Sequence, residues 1–186
     1  MVLAATQTGL EPIRAEIFGP ERLAQHARAL ALSQRVHPQR KRKGVPLLDR
    51  FEDNARALLA AYRALAREIQ KDQPISPTAE WLIDNFHIID EQLIEIREAL
   101  PSGYYRELPK LATGPLAEHP RAYGIAWAFV AHTDSRFDPP LLELFLRAYQ
   151  EIAPLTIGEL WAVPGFLRLV LVENLRRLAQ GVVESR

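Results

Sequence analysis

Acids and a histidine on one predicted helix could bind metal ions. Asp84, His87, Asp90 and Glu91 are spaced by three and four residues, so a helix would bring their side chains within reach of one another. Glu-x-x-His spacing supplies ligands in carboxylate-bridged dimetal bundles, but such a centre needs a second motif that no other predicted helix carries. A half-buried histidine beside surface acids is therefore favoured, and a small metal-dependent enzyme is the weaker alternative.

A histidine, hydroxyls and acids also occur together in the segment 132–138, HTDSRFD. These residue types could form a nucleophilic triad, but the chain has no Gly-x-Ser-x-Gly elbow. Thr, Ser and Asp also cap helices and make turns, and Pro139 and Pro140 follow directly. We interpret this segment as a cap, and we predict no catalytic, cofactor-binding or metal-binding residue and no cofactor for the chain.

Two short stretches could form an interaction surface. One is a basic block before Gly44, which could contact an anionic membrane surface or an acidic partner, although a solvated loop is favoured. The other is an aromatic pair with an arginine in a predicted loop. The candidate interaction residues are Arg40, Lys41, Arg42, Lys43, Tyr104, Tyr105 and Arg106.

Aromatic residues could also stack against sugars. Helical spacing favours core positions for Trp81, Trp127 and Trp161. Binding of a glucan or nucleotide sugar by the loop 104–120 is an alternative that we do not expect, because the sequence contains no glycine-rich phosphate cradle and no Asp-x-Asp motif.

The composition excludes several classes of protein. The 23 basic and 23 acidic side chains cancel, which removes the charge expected of a nucleic-acid-binding protein. The absence of cysteine excludes a disulfide scaffold and a thiolate zinc site. The longest apolar-rich run, 160–172, contains Arg168 and is shorter than the roughly 18 to 20 residues that cross a bilayer. We predict no membrane span and no nucleic-acid partner.

Proline and glycine residues divide the chain into stretches with helical periodicity, and no stretch has the alternation of a strand. The pattern predicts an all-α, multi-helix bundle of about six helices with two long helices and no sheet. The predicted helices cover about 20–35, 45–71, 76–100, 121–132, 139–152 and 165–180. The two long helices are the second and the third, and the third carries a strict seam of apolar residues.

We expect a single helical domain over 1–186. Residues 1–18 are predicted to be irregular, 20–71 to form a first helical hairpin, and 76–186 to form the main helical region. Within 156–179 the motif Gly158–Trp161 is predicted to make a helical corner, and Pro164 and Gly165 to turn the chain. The apolar helix after them would fill a core or a docking surface.

Several blocks of sequence, in this order, identify a family. They are IRAEIFGPERLAQHARAL from Ile13, LLDRFEDNARALLAAYRALAREI from Leu47, AEWLIDNFHIIDEQL from Ala79, RELPKLATGP from Arg106, FVAHTDSRFD from Phe129, and TIGELWAVP with VLVENLRRLA from Thr156 onward. Together they resemble the N-terminal region of the cyclic β-1,2-glucan synthases, and the likeness covers about 13–183.

The resemblance implies the context of the chain. Proteins of that family are very large, with a membrane-embedded glycosyltransferase that uses UDP-glucose and a phosphorylase-like part. The chain would then be a non-catalytic N-terminal helical module on the cytoplasmic face of a bacterial inner membrane, soluble if isolated. Its partner would be the remainder of the parent synthase. A free-standing helical adaptor is the alternative.

Overall fold

The structure, a computed structural model, describes residues 12–37, 47–71 and 76–184, with side chains as far as 181. This part of the chain contains no strand, and its two isolated bridges join Val36 to Leu111 and Lys110 to Pro120. The all-α prediction is confirmed, with eight helices in the described ranges rather than about six. They are α1 Pro20–Ser33, α2 Leu47–Ile69, α3 Pro77–Asp84, α4 Phe86–Ala99, α5 Ser102–Glu107, α6 Arg121–His132, α7 Pro139–Gln150 and α8 Ile157–Glu184.

The central element is α8. It packs against α6, α2, α4 and α3, and its Phe166 and Val170 are fully buried among them. The helix α1 packs chiefly against α7. The two helices of the expected 20–71 hairpin therefore lie mainly against different elements, α1 on α7 and α2 on α8.

The second predicted long helix is interrupted at Asn85. Ser76 caps the start of α3, because its hydroxyl accepts a hydrogen bond from the backbone N–H of Ala79 at 3.3 Å. The Asn85 side chain donates to the carbonyl of Trp81 at 2.8 Å, and its backbone leaves the helical region, with φ of −103° and ψ of 8°. Asparagine favours such local bonds over a continuous helix. The predicted seam nevertheless faces the core, since Phe86 is half-buried and the other five members are buried, namely Leu82, Ile89, Leu93, Ile96 and Leu100.

The prediction that Pro164 and Gly165 turn the chain is wrong, because α8 runs through both residues. Proline removes one backbone donor from a helix. Pro164 lies on the exposed side of α8, so its ring does not displace a packed neighbour. Although α8 has 28 residues, no helix in the described part of the chain is long and apolar enough to cross a membrane.

Residues 12–18, here called the N-terminal strap, are irregular and are held by Asn174 of α8. The Asn174 side-chain oxygen accepts from the backbone N–H of Ile13 at 2.6 Å, and its amide donates to the hydroxyl of Ser135 at 3.0 Å. The strap also bonds to the end of α6, where Ala15 donates to the carbonyl of Ala131 at 2.9 Å. Ile13 is fully buried, so the strap covers one more side of α8.

The contact between α4 and α8 depends on Gly165. A Cβ atom added there would lie 3.1 Å from Cγ of Leu100 and 3.2 Å from Cβ of Ala99. We expect Gly165→Leu to lower the free energy of unfolding in urea by about 1–3 kcal/mol through overpacking. Gly181→Leu is the matched control, since a Cβ there meets no atom within 4 Å. Equal stability of the two variants would contradict a close approach of α4 to Gly165.

Acid pH should destabilise the fold through His26. Its ring lies 4.4 Å from that of His132 and 5.5 Å from that of Phe18 in the strap. Burial, and secondarily the charge of His132, lowers the pKa of His26 to about 4 from 6.5. Between these two pKa values the unfolded chain binds a proton that the folded chain does not. The contribution of His26 to stability is therefore fully present above pH 6.5 and is lost as the pH falls toward 4.

We expect this loss to be about 2 kcal/mol after solvent screening, and to be absent from a His26→Leu variant. Urea unfolding of both proteins at pH 7 and at pH 4.5 measures it. His87→Leu, on the exposed face of α4, serves as the control and should keep the wild-type pH dependence. If His26→Leu also shows the wild-type loss of stability between pH 7 and pH 4.5, that loss does not come from His26.

Candidate functional site

The first turn of α8 is fixed by Thr156 and Glu159. The Thr156 hydroxyl accepts from the backbone N–H of Glu159 at 3.2 Å, and the Glu159 carboxylate accepts from the backbone N–H of Thr156 at 2.9 Å. These reciprocal bonds make a capping box, whose sequence signature is Thr-x-x-Glu before an apolar run. The sequence carries this signature, which could have located the start of the helix. The expected helical corner at Gly158–Trp161 is instead the start of α8.

A buried ion pair holds this end of α8 against α6. Nε and Nη2 of Arg121, the first residue of α6, donate to the two carboxylate oxygens of Glu159 at 2.6 and 2.7 Å. The Arg121 side chain is 9% exposed and that of Glu159 is 0% exposed. Arg121 also donates to the carbonyl of Pro154 at 3.1 Å. Burial opposes the charge of Arg121, but the bonds and charge of Glu159 outweigh it, and the pKa of Arg121 is raised.

A second polar network joins α2, α6 and α8. Arg50 donates to the hydroxyl of Tyr123 at 2.6 Å and to the carboxylate of Glu173 at 3.0 Å. Arg177 donates to the other oxygen of Glu173 at 2.6 Å and lies 5.9 Å from the ring centre of Trp127. Burial raises the pKa of the Tyr123 hydroxyl. The network ties three helices together through charge-assisted bonds.

Large apolar side chains are exposed at the start of α8. Ile157 is 74% exposed and Trp161, one turn later on the same face, is 77% exposed. Trp81 of α3 is 53% exposed, so the core prediction is wrong for Trp81 and Trp161. Trp127 is half-buried and packs against the core. Exposed apolar residues that adjoin on one face indicate a surface that binds another molecule.

The predicted interaction residues that the structure describes lie on the short helix α5 rather than in a loop. Tyr104 is half-buried, and its hydroxyl donates to the carbonyl of Gly158 at the start of α8. Tyr105 is buried with the amine of Lys110 4.5 Å from its ring centre, and burial raises its pKa to about 12. Arg106 is exposed and donates to the carbonyl of Ser102 at 3.1 Å. The basic residues Arg40, Lys41, Arg42 and Lys43 lie outside the described residues.

The residues proposed for a metal site are all exposed, so the expected half-buried position of His87 is wrong, and they lie on two helices. Asp84 ends α3, while His87, Asp90 and Glu91 are on α4, beyond the break at Asn85. In the ranges that the structure describes, no group of three or more His, Asp or Glu residues could hold a metal ion.

The segment 132–138 has structural roles. Asp138 caps α7 by accepting from the backbone N–H of Leu141 at 3.1 Å, and Thr133 donates to the carbonyl of Phe129 at 2.9 Å. Asp134 pairs with Arg14 of the strap at 2.8 Å. The capping interpretation is confirmed by the bond of Asp138.

Removal of one partner of the buried ion pair should destabilise the protein strongly. We expect Arg121→Met to lower the free energy of unfolding by about 3–5 kcal/mol, because Glu159 is left buried without its cation. The double variant Arg121→Met with Glu159→Met should recover part of this loss. Arg147→Met, which removes an exposed pair with Glu143, should cost less than about 1 kcal/mol. Similar urea unfolding curves for Arg121→Met and Arg147→Met would show that burial adds nothing to the first pair.

The chain matches part of a characterised protein. No protein-family model matches it. Over 137 residues, which are 74% of its length, it is 42% identical to the cyclic β-(1,2)-glucan synthase NdvB of Rhizobium meliloti (strain 1021). The chain spans only about 5% of the length of that relative. The resemblance to the cyclic β-1,2-glucan synthases found in the sequence is therefore confirmed over this segment.

Proposed function

We propose that this chain is a non-catalytic helical module of a larger cyclic-β-1,2-glucan-synthase-like polypeptide, and that it packs against the remainder of that polypeptide. The observation that carries the proposal is the match to a segment of a very long synthase. By the same resemblance, the glycosyltransferase part would lie at a membrane and use UDP-glucose. The module would lie on the cytoplasmic side and need no cofactor of its own.

The chemistry of the buried charged groups supports a structural role. Glu159 accepts from Arg121 of α6, and Glu173 accepts from Arg50 of α2 and from Arg177 of α8 itself. A general acid or base must be able to reach a substrate and exchange a proton with it. These carboxylates instead fix helices in place, which suits a module that holds other parts in position.

The exposed apolar residues of α8 favour an interaction rather than chemistry in this module. Ile157 and Trp161 are large, adjoin on one face and project from a helix whose other faces are buried. A free-standing adaptor would present a similar surface to a separate protein. Glucan synthesis would depend on this chain if it is a module of the synthase, but not if it is a free-standing adaptor.

The test is glucan synthesis by the full polypeptide that carries this segment. We expect membranes containing the parent protein to transfer glucose from UDP-glucose into cyclic β-1,2-glucan. Glu159→Gln should lower the yield of folded synthase and of glucan in the same proportion, because it weakens the buried pair that holds α8. Glu143→Gln, at an exposed pair, is the control and should leave both unchanged.

The isolated chain should neither bind UDP-glucose in a calorimetric titration nor transfer glucose. Transfer by the isolated chain would overturn the non-catalytic assignment. A parent protein that makes no glucan would overturn the proposed family function and favour the adaptor. Full glucan synthesis after replacement of 12–184 by a flexible linker would overturn the supporting role.

A further inference from the structure

The exposed side of α8 carries an apolar seam along the helix. Its seven positions are separated by four, three, four, three, four and three residues, which is the spacing that aligns side chains in a helix pair. Six of the seven residues are apolar. The members of this α8 seam are Ile157, Trp161, Pro164, Arg168, Leu171, Leu175 and Leu178.

The seam is the side of α8 that residues 12–37, 47–71 and 76–181 leave least covered. Both ends are open, since Ile157 and Trp161 are more than 70% exposed and Leu178 is 52% exposed. Pro164 is exposed, and Leu171, Leu175 and Arg168 are half-buried. The residues of α8 that face α6 or α2, such as Glu159 and Glu173, are buried instead.

The shape of the seam fits a helix. Its ends are 21 positions apart in the sequence, so it is about 32 Å long at 1.5 Å per residue. Its width is that of one helix face, because flanking positions on either side, such as Leu167 and Val172, are already buried. A long, narrow apolar stripe with this spacing accepts the side chains of a second helix between its own.

The centre of the seam argues against pairing with a second copy of this chain. Arg168 is the fourth of the seven positions, so a parallel or an antiparallel two-fold pair would place it opposite its own copy. Like charges that face each other destabilise a helix pair. The charge of Arg168 is partly neutralised by the carboxylate of Glu95 of α4, 2.9 Å away. Its Nε also donates to the side-chain oxygen of Gln92 at 2.9 Å, but the Arg168 side chain remains 38% exposed. An acidic residue on a different helix would complement it better.

We propose that the α8 seam docks a helix from another part of the same polypeptide, with apolar residues at heptad spacing and a carboxylate opposite Arg168. This inference rests on the proposed function, which supplies the partner. The matched segment is only 5% of the related synthase, so most of such a polypeptide lies outside this chain. The exposed ends of the seam would then be buried in the parent protein.

Site-specific photo-cross-linking in the parent polypeptide tests the seam. A benzophenone amino acid replaces Trp161, and in the control it replaces Leu32 of α1, which is 71% exposed and lies outside the seam. We expect several-fold more intramolecular cross-link from position 161, mapped by mass spectrometry to a helix with apolar heptad spacing. Arg168→Glu should lower that yield several-fold, because two carboxylates would then face each other.

Three other cross-linking results would overturn the inference. A cross-linked species of twice the mass would identify a second copy as the occupant, and a cross-link to lipid would identify the membrane. A yield at position 161 equal to that at position 32 would show an unoccupied seam. A glucan assay on the same membranes separates the two proposals. Glucan synthesis without the cross-link rejects the seam alone, and the cross-link without glucan rejects the proposed family function alone.

Discussion

The fold depends on covering α8. This helix carries apolar residues on nearly every side, and such a helix must be buried on several faces. Its Phe166, Val170 and Val163 are almost fully buried, and burial of each such side chain contributes about 1.5–3 kcal/mol. The surrounding helices and the N-terminal strap therefore all pack around α8 and exclude water from its apolar side chains. The pair of α1 and α7 joins this core where Phe145 meets Phe129 of α6, with ring centres 5.7 Å apart.

Polar groups then determine how the covering helices are placed. Apolar burial is non-directional and would tolerate α6 or α2 at several positions along α8. The bidentate bond from Arg121 to Glu159 requires the first turns of α6 and α8 to lie together. The bond from Arg50 to Glu173 sets one turn of α2 beside the middle of α8. Such pairs cost desolvation energy, and we infer that their contribution here is to specify the alignment of the helices.

The spacing of apolar residues predicted most of the helices, because each of these helices buries one apolar face in the core. The bounds of α2, α6 and α7 follow from prolines, caps and apolar spacing in the sequence, and Asp138 was expected to cap a helix. The break at Asn85 was missed because an asparagine inside an apolar pattern carries no strong signal by itself. The turn expected at Pro164 was wrong, since the capping box at Thr156 begins α8 well before the proline, and an exposed proline can remain within a helix. The candidate surface was harder to predict, because tryptophan is usually an anchor of the core and no local pattern states which face of an apolar helix remains free.

A rigid apolar face has a physical advantage for docking. Association loses the conformational freedom of whatever becomes ordered, so a surface that is already fixed binds at a lower entropic cost. The start of α8 is held by a capping box and a buried ion pair, and its middle by Asn174 and Glu173. The exposed side chains of the α8 seam are thus attached to a backbone that needs no ordering on contact. The interactions that fix the backbone of α8 therefore stabilise the module and also lower the entropic cost of docking at the α8 seam.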